Sequence, residues 1–247
     1  MKKVLSWQAK LGISLVVASA AIYFVHYLIF RDAHHIFIYM VGDIAFVPIE
    51  VLLVTLIIHR LLSIREKRAL LQKLNMVIGV FFTEAGTRML REFASVDPGL
   101  REVGDALKMT TRWTAGDFSA VRERLQVYSY EVKPAREDLE RMKEFFRGKR
   151  GFLLRLLENP NLLEHVSFTD MLWAVVHLAE ELDHREDMAS LPDSDVDHLG
   201  GDVKRAYSRL VMEWLDYMQH LRSDYPYLFS LAIRTNPFVP GAKAEVT

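Results

Sequence analysis

Two apolar runs at the head of the chain limit its fold more than any other feature. One is Leu11 to Phe30; the other, after "RDAHH", is Ile36 to Leu62. At 1.5 Å per residue, about twenty helical residues cross a bilayer core of about 30 Å, so the first run is long enough to span. The second is longer and must tilt or project beyond the core. Inside lipid a segment has to satisfy its own backbone N–H and C=O groups, which makes both runs helices. The expectation is a two-helix transmembrane hairpin in residues 1–62, with spans at about 11–30 and 36–62.

Basic residues orient the hairpin. Lys2, Lys3 and Lys10 precede the first run, and Arg60, Arg65, Lys67, Arg68 and Lys73 follow the second. The five-residue connection holds one Arg31, offset by Asp32. The positive-inside rule then places both termini in the cytoplasm. Trp7 suits the inner interface, and Tyr23, Tyr27, Phe30, Phe37 and Tyr39 the outer one. "MKK", "LGISLVV" and "ASA" also read as a signal peptide. The apolar run continues through "AIYFVHYLIF", so an uncleaved anchor is expected.

The second run carries two acids, Asp43 and Glu50, with Pro48 between them. An acid at mid-membrane costs about 2.5–3.5 kcal/mol, against a gain of about 0.3–0.6 kcal/mol for each Leu, Ile, Val or Phe. The run inserts despite them. Seven residues apart, the two acids share one helical face. Pro48 removes a backbone donor and frees a carbonyl near Ile44. Folding the hairpin at Ala33 sets Tyr23 level with Asp43 and Val16 level with Glu50, leaving Ser14 and Ser19 as the nearby polar side chains of the first run. Glu50 is expected to be the deeper acid. Without a cation in its own chain, it is protonated and bonded to a serine or carbonyl, bathed in water, or turned toward a second copy.

From Ser63 onward the text becomes charged and amphipathic. "SIREKRALLQKLNMVIGVFFTEAGTRMLREF" keeps helical apolar spacing, so the second span is expected to continue as one rod. Gly79 and Gly86 lie on one face and would admit a close neighbour. Helix starts are read at Pro98 with Asp97 as cap, at Thr114 with Asp117, at Pro134, and at Ser167 with Asp170; Gly148 reads as a stop. The fold class is all-α, with a cytoplasmic helical domain over 63–236 and a flexible tail over 237–247.

The 247-residue chain has a net charge of -1 and no cysteine. That excludes disulfides, thiolate metal sites and cysteine catalysis, and gives no general attraction to nucleic acid. "HLAEELDH" sets His177, Glu180, Glu181 and His184 on one helical face; Glu181-x-x-His184 has the spacing of di-iron bundles, without the second such motif. His177, Glu181 and His184 are the metal candidates, with Glu213, Asp216 and His220 on a later helix as further donors. A solvated polar face competes with that reading. "DSDVDHLGGDVK" approaches a calcium loop but has His198 for the central Gly and Lys204 for the final Glu. Arg147, Lys149 and Arg150, around a Gly-flanked turn, form a basic patch suited to anionic lipid or a cytoplasmic protein partner.

The hairpin with "GDIAFVPIEVLLVTLIIHRLL", "REKRALLQKLNMVIG" and "LWAVVHLAEEL" resembles a family of conserved two-span prokaryotic membrane proteins to which no function is attached. The resemblance implies the architecture alone. The residues suggest a homo-oligomer passing cations along an axis lined by Asp43 and Glu50, or a membrane-anchored interaction module or sensor without transport. No phosphate loop or nucleophile elbow is present, so no enzyme is expected apart from a third reading, metal-dependent activity on the His177, Glu181 and His184 face, and no cofactor is expected.

Overall fold

The computed structural model describes residues 7–99 and 104–245, without the side chains of residues 67–72 and 163. Lys2, Lys3, the side chains of Lys67 and Arg68, and the last two residues of the tail lie outside the described residues, as does any helix restart at Leu100. The described residues are helical throughout their regular structure, with no strand. They divide into two compact units, Met1–Lys67 and Arg68–Thr247.

The first unit contains α1 (Trp7–Phe30) and the beginning of α2 (Ala33–Phe81). The link is shorter than the five residues expected, because the second helix starts at Ala33 and not at Ile36. Asp32 explains this: its Oδ1 accepts the backbone N–H of His35 at 3.1 Å, capping a helix that begins one residue later. Arg31 takes a left-handed φ of 49°, with its N–H donating to Tyr27 O at 2.8 Å, so the chain reverses within two residues. Moving the fold point from Ala33 to this link changes the count, so that a hairpin folded here would set Asp43 level with Ala20 and Glu50 with Ile13.

The stretches Trp7–Phe30 and Ala33–Glu66 of these helices are long and apolar enough to cross a membrane, and none of the apolar residues in them is buried. Val16 is 71% exposed and Ile44 61%. A helix from the centre of a soluble protein would be covered by its own chain; these are not.

The second unit buries a continuous core. The end of α2 contributes Leu74, Ile78 and Phe81. A short π-helical turn (Phe82–Gly86) leads into α3 (Thr87–Ser95). Then follow α4 (Ala115–Val127), α5 (Arg136–Leu157), α6 (Val166–Asp183), α7 (Asp193–Asp224) and α8 (Pro226–Arg234). The 32-residue α7 is the spine: α3, α4, α6 and α8 all pack on it, and α5 packs on α6. Its Leu199, Val203, Leu210, Trp214 and Met218 recur at helical spacing and are all buried.

Several local signals behave as their chemistry requires. Thr114 caps α4 in a reciprocal capping box with Asp117. Pro226 opens α8 directly after α7 ends. Other elements differ from expectation. The α5 helix starts at Arg136, with the Ala135 N–H bonded to Asp138 Oδ2 at 2.8 Å, and it runs through Gly148 to Leu157. Gly148 does not stop it because Leu153 and Leu156 extend the buried stripe of Phe145 and Phe146. At α6 the cap is His165, whose Nδ1 accepts the Phe168 N–H at 3.2 Å, and not Ser167. "DSDVDHLGGDVK" is the opening of α7, so the calcium-loop spacing is corrected: Asp193 and Asp195 sit in a first helical turn, where the helix dipole favours them. The tail is anchored at its start, since Phe238 is buried edge-on to Trp214 and Asn236 Nδ2 donates to Leu107 O at 2.7 Å.

Candidate functional site

In the first unit, Asp43, Pro48 and Glu50 lie on α2, and Ser14 and Ser19 on α1, all exposed. Ser14 Oγ donates to Lys10 O at 2.9 Å, one turn back on its own helix. Among the described residues, neither acid has a hydrogen-bond or ion-pair partner. Among the described residues, neither serine bonds to either acid.

In the second unit the polar groups converge where α6 meets the beginning of α7. His177 and Glu181 are one turn apart on α6, and His198 and Asp202 one turn apart on α7, so each helix presents a histidine and a carboxylate on one face. Asp202 Oδ2 lies 3.5 Å from His177 Nε2 and 3.5 Å from His198 Nε2. Glu181 approaches the same histidines, Oε1 at 4.0 Å from His177 and Oε2 at 3.8 Å from His198. Donor atoms of His177, Glu181 and Asp202 all fall within 4.8 Å of one another, a set of the kind that holds a divalent metal.

Each carboxylate divides its oxygens between two tasks. Asp202 is only 2% exposed; its Oδ1 accepts from Arg205 at 2.7 Å, while its Oδ2 is buried without a hydrogen bond. Glu181 Oε2 accepts from Arg185 at 2.8 Å. Arg185 in turn grips both oxygens of Asp195, at 2.6 and 2.8 Å. The Arg185 hydrogen bond holds the Glu181 carboxyl below the usual carboxylate range, and does the same for Asp195. The segment after α6 is clamped by the buried Lys143, whose Nζ donates to the carbonyls of Arg185 and Glu186.

His184, expected beside Glu181, is not in this cluster: it lies just past α6 and its Nδ1 is 2.7 Å from Glu180 O. Glu213, Asp216 and His220 are also elsewhere. Glu213 is buried beside Ser167, with its carboxyl raised by burial; Asp216 pairs with Arg122; His220 Nδ1 lies 2.8 Å from Asp224 and 3.2 Å from Asn75. The last of these borders a groove of about 760 Å³ between the end of α2 and α7, lined by Met76, Val80, Tyr217 and Leu228 among others. The basic patch is largely neutralised. Arg147 and Arg150 share Asp183 at 2.8 and 3.8 Å, and Lys149 reaches Glu84 at 3.2 Å.

Asp202 and His198 carried a legible signal. His177-x-x-x-Glu181 and His198-x-x-x-Asp202 are the same one-turn pair written twice, on two helices that pack together.

Two family models match the chain. One described as "MJ1433, N-terminal helical domain" covers residues 2–62, and one described as "Uncharacterized protein MJ1433, C-terminal helical domain" covers residues 70–234. The chain is also 44% identical, over 228 residues, to the uncharacterized protein MJ1433 of Methanocaldococcus jannaschii, a match spanning 92% of each. No solved structure matches it.

Proposed function

The chain belongs to the MJ1433 helical-domain family, and from that premise we propose that it is a membrane-anchored helical module, held in the bilayer by α1 and the first part of α2 and acting by binding through its second unit. One contrast carries this reading. No described residue of the apolar helices over 7–66 is buried by its own chain, whereas the second unit buries a continuous apolar core and leaves only scattered apolar side chains such as Val127 and Trp173 exposed. Apolar surface on that scale needs a solvent other than water, and a lipid bilayer is the partner whose thickness it fits. Helix α1 is about 36 Å long at 1.5 Å per residue, enough for one crossing with a short margin. The basic residues after the second span put both ends of the hairpin on the cytoplasmic side of a prokaryotic inner membrane. Activity is by recognition of a ligand, a cytoplasmic protein or anionic lipid, without catalysis of its own; the paired state of Arg147, Lys149 and Arg150 favours the protein or ligand over lipid.

A second reading rests on a different observation, the unpartnered Asp43 and Glu50. With the link at the outer boundary, Asp43 lies about 15 Å along α2 and Glu50 about 26 Å, so Asp43 becomes the mid-membrane acid. A homo-oligomer with both acids facing an axis would keep them off the acyl chains and would pass cations.

Alkaline carbonate extraction of cell membranes tests the first reading. The full chain stays in the pellet, and a variant lacking residues 7–62 is released; a full chain released like the variant would overturn it. For the second, the particle mass in detergent and cation flux into reconstituted vesicles are measured. A multimer whose flux falls in Asp43→Asn or Glu50→Gln supports the axis, and a monomer ends it.

A further inference from the structure

We infer that His177, Glu181, His198 and Asp202 form a mononuclear binding site for a divalent first-row transition metal, with the two imidazole Nε2 atoms and one oxygen from each carboxylate as ligands. Binding at this site goes beyond membrane anchoring and stands whether or not the hairpin reading holds.

Geometry carries the inference first. Around a tetrahedral ion with bonds of about 2.0–2.1 Å, neighbouring donor atoms sit roughly 3.3–3.5 Å apart. Asp202 Oδ2 is 3.5 Å from both imidazole nitrogens, too long for a good hydrogen bond and the right edge for two ligands of one ion. Donor atoms of His177, Glu181 and Asp202 already lie within 4.8 Å of one another, with Glu181 Oε1 4.0 Å from His177 Nε2; His198 is outside that set, 3.8 Å from the Glu181 oxygen that Arg185 holds, and completes the four by a rotation of its side chain.

Burial carries it second. Asp202 is 98% covered, yet Oδ2 has no hydrogen-bond donor and is aimed at the two histidines. Arg205 balances the carboxylate's charge at Oδ1, but a buried oxygen left without a hydrogen-bond donor is costly, so such oxygens are normally hydrogen-bonded or bound to metal. A bound dication supplies the missing partner.

The surroundings complete a metal site's outer layer. Arg205 holds Asp202 Oδ1 and Arg185 holds Glu181 Oε2, which leaves one oxygen of each carboxylate for the ion and fixes its direction. Net ligand charge is then two negative, matched to a dication. Imidazole nitrogen with carboxylate oxygen and no thiolate selects Zn²⁺, Fe²⁺, Co²⁺ or Mn²⁺ over Ca²⁺ and Mg²⁺, which prefer oxygen alone. Both histidines stay about half exposed, 46% and 55%, so the ion is reachable from solvent on one side.

The competing account is a plain cluster of polar side chains that holds no ion. Cobalt separates the two. The full-length protein, purified in detergent without a histidine tag and stripped with chelator, is titrated with Co²⁺ and followed by visible absorption. One equivalent saturating with the intense d–d bands of a four-coordinate Co²⁺ centre, displaced by Zn²⁺ and not by Mg²⁺, is expected. His177→Ala with His198→Ala abolishes the bands, Asp202→Asn weakens binding at least tenfold, and His184→Ala leaves both unchanged. Circular dichroism of each variant checks that the helices are retained. Absence of a saturable one-to-one band in the wild type, or a band indifferent to His177 and His198, would overturn the inference; loss of the band in His184→Ala would reassign the ligands and also overturn it.

Discussion

Asp202 Oδ2 and His198 Nε2 are 3.5 Å apart, one turn from each other on α7, and the oxygen is buried with no hydrogen bond to hold it. The other oxygen of that carboxylate is held by Arg205 at 2.7 Å. The carboxylate is thus oriented by one side and free on the other.

Arg205 is accordingly a positioning residue. Arg205→Gln should lower the affinity for Co²⁺ or Zn²⁺ by about 10–100-fold while leaving one ion per chain, because the ligands remain and only their orientation is lost. Competition titration against a chelator of known affinity reads the change. An unaltered affinity would show that Asp202 needs no such support.

The buried Glu213 makes stability fall with pH. Burial raises its carboxyl above the ordinary 4.5, in spite of Ser167, His165 and Arg122, which lower it. Between the ordinary and the raised value the folded chain keeps a proton that the unfolded chain has released, so stability drops as pH rises through that window. Glu213→Gln stays neutral throughout. Thermal melts should find the variant more stable than the wild type at neutral pH, with the gap closing as pH is lowered toward 4.5.

Two glycines give opposite outcomes on alanine substitution. At Gly86 a Cβ would stand 2.7 Å from ring carbons of both Phe81 and Phe82, which are buried and have nowhere to move. Gly86→Ala should cost about 1–3 kcal/mol by overpacking. Nothing lies within 4 Å of a Cβ at Gly148, inside α5. Gly148→Ala should stabilise by about 0.5–1 kcal/mol, by restricting the unfolded chain and improving helix propensity. Denaturant unfolding of the two variants beside the wild type measures both.

Much of the fold was legible because its signals are local. Length and apolarity marked both long helices, a capping box marked α4 at Thr114, and the apolar spacing of α7 needed no tertiary knowledge. Short-range competition misled elsewhere. Asp32 captures the helix start three residues before the apolar run begins, and the His165 ring takes the cap position that Ser167 appeared to offer. Gly148 stays helical because the buried stripe continues past it. At the His–carboxylate cluster, two of the residues were visible on one helix. Pairing Glu181 with His184, three residues on, points along the wrong turn, and the partners come from the opening of α7, whose acids resemble a calcium loop until the helix dipole that favours Asp193 and Asp195 is weighed. Which face of α6 meets which face of α7 is a packing fact, and packing is not written in spacing alone.

The central claim, a hairpin that crosses a membrane and leaves the second unit in the cytoplasm, has a direct test because the chain has no cysteine of its own. His34→Cys, beside the link, and Val127→Cys, at 84% exposure in the second unit, are each treated in intact cells with a membrane-impermeant maleimide. The account predicts labelling at position 34 from outside and at position 127 only after the cells are permeabilised. Equal labelling at the two positions before permeabilisation, or none at position 34 after the outer face is made accessible, would contradict it.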